Sequence, residues 1–420
     1  MCIRDRYRTD DLRGGLRIVL VSSGYTPHLT GGISRFISDV APELARLGHD
    51  VRVFTRAHGE ATVDLEDDVW VHRLQLSPTP GRVPEAAPPV DGFATAVADE
   101  LRRISVWWRA DVAYGSLWDV ELLGILRDSD TPVVPMLATP AAEVAVHEGW
   151  NEPSSPTYDQ IQQLIALERE VVSSAATVHA ISESIVDTFE ELYPGALDPS
   201  RVVTAHIGRR DDVGSDDTAD QPDDPPMVLF VGRLEPRKGI DVLLAAVPEI
   251  VASHPDARIV IAGADRATSS GQLSATAQWR RDHGLDQQVA FVGAVDDDEL
   301  TKLMRRSSIV LMPSRYESFG LVVVEAMMHA RVAVASDVGG IRELIESGRT
   351  GLLVPVGDAH ALADAVNSLL ADPPRMQAMG FDGRRHFQTN LAVPAAARRL
   401  DDLLTATVRR LRGADTGVGR

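Results

Sequence analysis

Only one cysteine, Cys2, stands in the 420 residues, so no disulfide can form within the chain. No apolar run approaches the roughly 18 residues that a membrane helix needs, and no secretory hydrophobic segment is evident, so a soluble, cytoplasmic protein is expected. Basic residues are outnumbered, with 42 Lys and Arg against 61 Asp and Glu, for a formal charge of −19. Such a deficit leaves no basic face to neutralise phosphates, which excludes nucleic acid as the expected partner and argues against adsorption of the whole surface on anionic lipid. No His, Cys or carboxylate cluster has metal-ligand spacing, so neither a metal nor a cofactor is expected. Two nucleotide fingerprints are also missing, the G-x-G-x-x-G of dinucleotide enzymes and the G-x-x-x-x-G-K-[ST] of phosphate-binding loops. A nicotinamide oxidoreductase is therefore disfavoured.

What is present suits two α/β domains, because 420 residues with 44% hydrophobic content exceed one ordinary core. Short β-rich runs at 16–21, 51–54, 69–74, 111–114, 132–137, 177–181 and 202–205 alternate with helical patterns. A second series runs through 227–231, 258–262, 289–292, 309–312 and 332–335. Alternation of this kind means parallel sheets with right-handed crossovers, repeated in two halves. The expected layout is an unstructured or mis-assigned start over 1–14, an N-terminal domain over 15–208, an acidic linker over 209–226, a C-terminal domain over 227–393 and a helix over 394–412 that packs back on the first half. Between 211 and 226 the linker carries seven aspartates and almost no apolar residue.

Three segments carry chemistry. Ser314-Arg-Tyr-Glu-Ser-Phe-Gly-Leu-Val-Val-Val-Glu325 reads as loop into helix behind the strand 309–312, with amides at 318–321 at a helix N-terminus that favours a diphosphate. Glu317 would face the ligand from the loop, and Glu325, more than a turn into the helix, could reach hydroxyls such as those of a ribose. The pair is not a glycosidase pair: eight helical residues rise about 12 Å, whereas retaining glycosidases hold their carboxyls about 5 Å apart. Phe230-Val-Gly-Arg-Leu-Glu-Pro-Arg-Lys-Gly239 places Arg233 and Lys238 at the carboxyl edge of the second sheet, where a fork and a point charge could neutralise a leaving diphosphate. Gly31 and Gly32, after the first strand and before a helix, allow a ligand close to backbone amides.

These segments, in this order and on these elements, resemble the retaining glycosyltransferases of GT-B fold often called family 4. The resemblance runs from about residue 16 to 400 and is most specific in GRLEPRKG, AGADRA, FVGAVDDDEL and PSRYESFGLVVVEAMMHARVAVASDVGGIRELIESGRTGLLVPVGD. It implies two Rossmann-like domains facing across a cleft and α-retaining, metal-independent transfer from a nucleoside-diphosphate sugar to a sugar, lipid or other small-molecule acceptor. By position, Arg233 and Lys238 resemble the diphosphate-contacting pair and Glu325 the ribose-binding glutamate. Glu317 resembles the glutamate beside the donor sugar. Phe319, Gly320 and Leu321 would offer amides to sugar or phosphate, Gly31 and Gly32 the N-terminal glycine loop, and 292–295, ending at Val295, main-chain contacts to the base. Glu317, Arg233 and Lys238 then act catalytically by positioning and electrostatic stabilisation in a front-face substitution, without a protein nucleophile.

The first half departs from the family. Many relatives carry a histidine after the strand at 132–137, where this chain reads Met136-Leu-Ala-Thr-Pro140, and their Asn-Gly-Val-Asp becomes His206-Ile-Gly-Arg209. Thr139 and His147 are the nearest polar candidates. The departure motivates a rival, a catalytically silent GT-B protein that binds a nucleotide sugar or glycan. His179 and His206 read as packed or hydrogen-bonded residues. Asp296, Asp297 and Asp298 read as a cap for the next helix. The stretch 93–109, with Arg102, Arg103, Trp107, Trp108 and Arg109, could lie on a membrane bearing a lipid acceptor, although packing of the tryptophans explains it more simply.

Overall fold

The computed structural model describes residues 14–29, 31–76, 92–213, 222–264, 275–285 and 287–415. The chain divides into two compact units. One holds the chain through Ala180, Thr188–Ala205 and everything from Ala396 onward; the other holds Ile181–Asp187 and His206–Ala395.

The first unit is built on an eight-stranded sheet in the order β3-β4-β2-β1-β5-β6-β7-β8. Its strands are β1 (Arg17–Val21), β2 (Asp50–Arg56), β3 (Thr62–Glu66), β4 (Val69–Leu74), β5 (Val112–Ser116), β6 (Val133–Leu137), β7 (Val178–Ala180) and β8 (Val202–Thr204). All neighbours are parallel except β3, which runs antiparallel to β4. The sequence reading missed β3 because its residues are nearly all exposed and carry no apolar run. Central strands such as β1 are buried along almost their whole length, as a parallel sheet covered on both faces requires.

Within 93–109, Trp108 packs in the core, as the simpler explanation of that stretch expects. It is fully buried, its Nε1 donates to Asp50 Oδ2 at 2.7 Å, and the Arg52 guanidinium lies 4.5 Å from its ring. Arg102 and Arg103 are paired with Asp99 and Glu100 on their own helix, and the neighbouring Val106 and Trp107 are exposed. His179 is satisfied on both ring nitrogens, by the Tyr114 hydroxyl and the Ala205 carbonyl, each at 2.7 Å. The C-terminal helix Val393–Asp415 joins this unit from Ala396, where Thr407 Oγ1 donates to Thr177 Oγ1 at 2.8 Å.

The second unit carries a six-stranded, wholly parallel sheet in the order β11-β10-β9-β12-β13-β14. Its strands are β9 (Met227–Val231), β10 (Arg258–Ala262), β11 (Val289–Gly293), β12 (Ile309–Met312), β13 (Val332–Ser336) and β14 (Gly351–Val354). Phe230, Leu243, Val247, Ile261, Leu311, Val334, Leu362 and Val366 form the heart of its core. Each such side chain stabilises the fold by about 1.5–3 kcal/mol relative to exposure. β14 was not foreseen, since its short Gly-Leu-Leu-Val run follows a turn without a clear period.

The acidic stretch differs from the expected free linker. Arg209 exchanges backbone hydrogen bonds with Leu391 and Val393, and Asp211 receives both terminal nitrogens of Arg384 at 2.8 Å, so 209–213 is folded onto the second unit. Residues 214–221 and 1–13 lie outside the described residues, as does the second half of the AGADRA motif. Asp296 does cap the helix Asp297–Arg306, its Oδ1 accepting the Glu299 amide at 2.8 Å. Among the described residues no helix is long and apolar enough to cross a membrane.

Candidate active site

In the second sheet the strand order reverses between β9 and β12. That reversal opens a crevice at the carboxyl ends of the strands, the place where open α/β sheets bind ligands. The loop after β9 ends in the short turn Pro236–Lys238, and the loop after β12 runs from Pro313 to the helix Leu321–Met328. Gly239 welds these two loops, and Gly339, in the turn after β13, packs on the second. Gly239 (φ +72°) approaches so closely that a Cβ would stand 1.9 Å from the Pro313 carbonyl oxygen, and at Gly339 (φ +52°) a Cβ would stand 1.9 Å from that of Glu317. Gly340 adds an amide hydrogen bond to the Glu317 carbonyl at 3.0 Å.

The weld brings Lys238 and Glu317 into contact, with Nζ donating to Oε2 at 2.5 Å and the side chains only 18% and 13% exposed. An ammonium has three donors, of which Glu317 takes one. Arg315 clamps the same turn: its amide donates to the Arg237 carbonyl, Nη1 to the Pro236 carbonyl, and its fork to Asp241 at 2.6 and 2.7 Å. The Arg315 hydrogen bonds hold the Asp241 carboxyl below the ordinary carboxylate range.

Arg233 has a different partner. It is 58% exposed and ion-paired at 3.2 Å with the buried Glu235, which Arg237 also engages at 2.9 Å. Of the two expected cations, Lys238 is bridged to Glu317 and Arg233 is exposed and paired with Glu235. Phe319 is buried and turns its ring edge to His206 at 5.6 Å, so it can offer only its amide. Gly320 is the N-cap residue of the next helix, and the first amide bonded within that helix is that of Val323. The amides before it have no intrahelical acceptor, and they collect the positive end of the helix dipole.

Glu325 lies one turn into this helix, nearly buried, with Oε1 3.5 Å from Nε of the buried Arg209. Arg209 escaped the sequence reading, which placed it in a linker; the signal was the altered His206-Ile-Gly-Arg209 itself. Glu343 was missed too. Its carboxylate accepts the amides of Glu183 and Ser184 at 3.0 Å and lies 3.2 Å from His206 Nε2, while Ser182 Oγ donates to the Ser318 carbonyl at 2.8 Å. Val295 is half-buried just after β11, at the sheet edge, behind an exposed 292–294.

In the first unit, Gly31 is the N-cap and Gly32 the first residue of the helix Gly32–Arg46 that follows β1, and the space where a Gly31 Cβ would stand is open. Thr139 follows β6, just before the helix Ala141–Glu148, and the side chain of His147 lies outside the described residues. Beneath that helix start the buried Glu168 accepts the Ala141 amide at 3.0 Å and the Tyr193 hydroxyl, and burial pushes its carboxyl up to about 8.

Residues 216–386 match the family described as glycosyl transferases group 1, and residues 31–208 match a glycosyl transferase 4-like domain. Among known proteins, the glycogen synthase of Mycobacterium tuberculosis is 30% identical over 385 residues, covering 86% of this chain and 88% of that one. The D-inositol 3-phosphate glycosyltransferase of Corynebacterium aurimucosum is 31% identical over 393 residues, covering 89% and 90%. Among solved structures, the sucrose-phosphate synthase of Thermosynechococcus elongatus superimposes with a TM-score of 0.71 at 21% identity, over 95% of this chain and 100% of that chain. Anabaena HepE, solved in complex with UDP-glucose, does so with a TM-score of 0.66 at 18% identity, over 93% and 100%. At those identities the two structures speak for the fold alone.

Proposed function

As the chain belongs to the glycosyl transferases group 1 and is a GT-B glycosyltransferase, we propose that it moves a sugar from a nucleoside-diphosphate sugar to an acceptor hydroxyl, with retention of configuration and without a metal. The observation that carries this reading is the Lys238 to Glu317 contact at the switch point of the second sheet, beside the amino end of the helix Leu321–Met328. A cation, a carboxylate and a helix N-terminus converge there, where a diphosphate and a sugar hydroxyl would each find their complement.

In this reading the diphosphate lies on the Lys238 ammonium and on the amides of Phe319, Gly320 and Leu321. Arg233 closes from the solvent side as a bidentate fork, which its exposure permits. Glu317 accepts from a hydroxyl of the donor sugar, Glu325 from the ribose, and backbone at Val295 meets the base. Gly31 and Gly32 supply the glycine loop, and the first unit binds most of the acceptor. The bond from the anomeric carbon to the diphosphate oxygen breaks, and the acceptor oxygen bonds to that carbon on the same face. The acceptor's proton passes to the departing phosphate oxygen. Lys238 and the helix amides stabilise charge that grows only as the diphosphate leaves, the kind of interaction that lowers a barrier rather than merely tightening binding.

A thermal-shift and calorimetric screen of UDP-, GDP- and ADP-sugars tests the donor, since a ligand of the folded state raises its stability. One of them should bind and release nucleoside diphosphate in the presence of EDTA, giving an α-linked product by NMR. If no sugar nucleotide binds, the donor assignment fails; loss of turnover in EDTA strikes metal independence, and a β-linked product strikes retention.

A further inference from the structure

Away from the donor residues, four buried polar atoms without a hydrogen-bond partner occur in three residues at the carboxyl edge of the first sheet: Arg56 Nε and Nη2, Asp119 Oδ1 and Glu121 Oε2. Arg56 ends β2, while Asp119 and Glu121 follow β5, and these two strands flank β1 on either side. This is the switch point of the first sheet, where the strand order turns. Arg56 Nη2 stands 3.7 Å from Asp119 Oδ2, an ion pair too long to be a hydrogen bond, and the guanidinium lies 5.1 Å over the Phe93 ring. Glu121 is buried, and its Oε1 accepts the Ser23 amide at 2.6 Å, which anchors the turn after β1.

The backbone singles out the same place. Asp119 (φ +58°, ψ +14°) and Val120 (φ +46°) are consecutive non-glycine residues in the left-handed region, a conformation that persists only when its surroundings enforce it and that concentrates at binding sites. The turn leaves the neighbouring Trp118 40% exposed, its amide held by Ser116 Oγ at 2.9 Å.

The chemistry of the group is selective. Arg56 only donates, the carboxyls accept, and the indole offers an apolar face, which together match the alternating hydroxyls and C–H surface of a saccharide. Asp119 offsets the charge of Arg56, so the group has no surplus positive charge to hold a phosphate. Burial pushes Glu121 up to about 8, so at neutral pH it is an acid that leaves Asp119 and Arg56 as a compensated pair.

We propose that Trp118, Asp119 and Arg56 form a subsite for a neutral polyhydroxyl acceptor, its ring on the indole and its hydroxyls on the guanidinium and the Asp119 carboxyl, with Glu121 as the positioning residue that fixes the adjoining turn. The proposal rests on the glycosyltransferase reading above and names the class of acceptor: an unphosphorylated sugar or polyol rather than a sugar phosphate.

The test is calorimetric titration of the full chain with glucose, maltotriose and glucose 6-phosphate, in the wild type and in Trp118→Ala and Asp119→Asn, with nucleoside-diphosphate binding measured in the same preparations. Asparagine tolerates the left-handed region, so Asp119→Asn should fold. Expected are binding of maltotriose, a Kd for it raised at least tenfold in each variant, glucose 6-phosphate binding no tighter than glucose, and nucleotide binding unchanged. Tighter binding of glucose 6-phosphate than of glucose overturns the proposal. So does a nucleotide-binding protein that ignores both neutral sugars, or neutral-sugar binding untouched in both variants. A protein that holds maltotriose through Trp118 but no nucleoside diphosphate would instead remove the donor reading.

Discussion

Replacing Lys238 by methionine keeps the length of the side chain and deletes its charge, so it separates electrostatics from packing. Lys238 and Glu317 meet at 2.5 Å with side chains 18% and 13% exposed, so solvent screens the pair only in part. In a donor complex the ammonium would make a charge-assisted hydrogen bond to a phosphate oxygen, an interaction of about 1.5–3 kcal/mol. At about 1.4 kcal/mol per decade that is roughly a 10- to 100-fold rise in Kd for the nucleoside diphosphate. Folding should suffer less, by about 1 kcal/mol, because Glu317 keeps enough exposure to recruit water when its partner is gone. The assay is calorimetry with the nucleoside diphosphate that binds the wild type, beside urea unfolding of both proteins. The double variant Lys238→Met/Glu317→Gln completes a cycle, which should show coupling because the two side chains touch. An unchanged Kd in Lys238→Met, with the protein folded, would refute the assignment of this lysine to the diphosphate.

Gly339→Ala should lower the unfolding free energy by more than about 2 kcal/mol, since a Cβ meets the Glu317 carbonyl oxygen at 1.9 Å in a left-handed backbone, and should weaken donor binding with it; a wild-type urea midpoint contradicts that packing. Arg209→Ala leaves the nearly buried Glu325 without its 3.5 Å partner and should cost about 3 kcal/mol, seen as a lower urea midpoint. The third concerns pH. Glu121 has an ordinary value of 4.5 and is pushed up to about 8 in the fold, so the native state binds the extra proton. Its contribution is therefore intact below about pH 4.5 and is lost as pH rises toward about 8. Glu121→Gln, which keeps an acceptor for the Ser23 amide, should flatten that part of the pH profile of the urea midpoint; an unaltered slope means that Glu121 does not titrate there. Arg315→Ala frees the Pro236–Lys238 turn from Asp241 and should raise the Kd for nucleoside diphosphate severalfold with little change in stability, whereas a wild-type Kd would show that the clamp does not position Lys238.

The strands of the second unit were legible in the chain because parallel strands buried on both faces must be continuous apolar runs, and Met227–Val231 and Ile309–Met312 are such runs. β3 was not, because an antiparallel edge strand of exposed residues has no pattern to distinguish it from loop. Lys238 and Glu317 were each legible as candidate site residues from their loops and motif. Their contact was not, since they are 79 residues apart and are joined by the packing of Gly239 and Gly339 against carbonyl oxygens that no local pattern announces. The same reason hid Arg209: an arginine after a strand reads as solvated until the helix bearing Glu325 is placed beside it.

Composition, periodicity and motif spacing therefore settled the class of fold and singled out the candidate loops, because both depend on short stretches of chain. The pairing of charges and the buried state of Glu121 and Glu168 required the folded molecule, because a pairing energy or a desolvation cost exists only when groups distant in sequence share one low-dielectric environment.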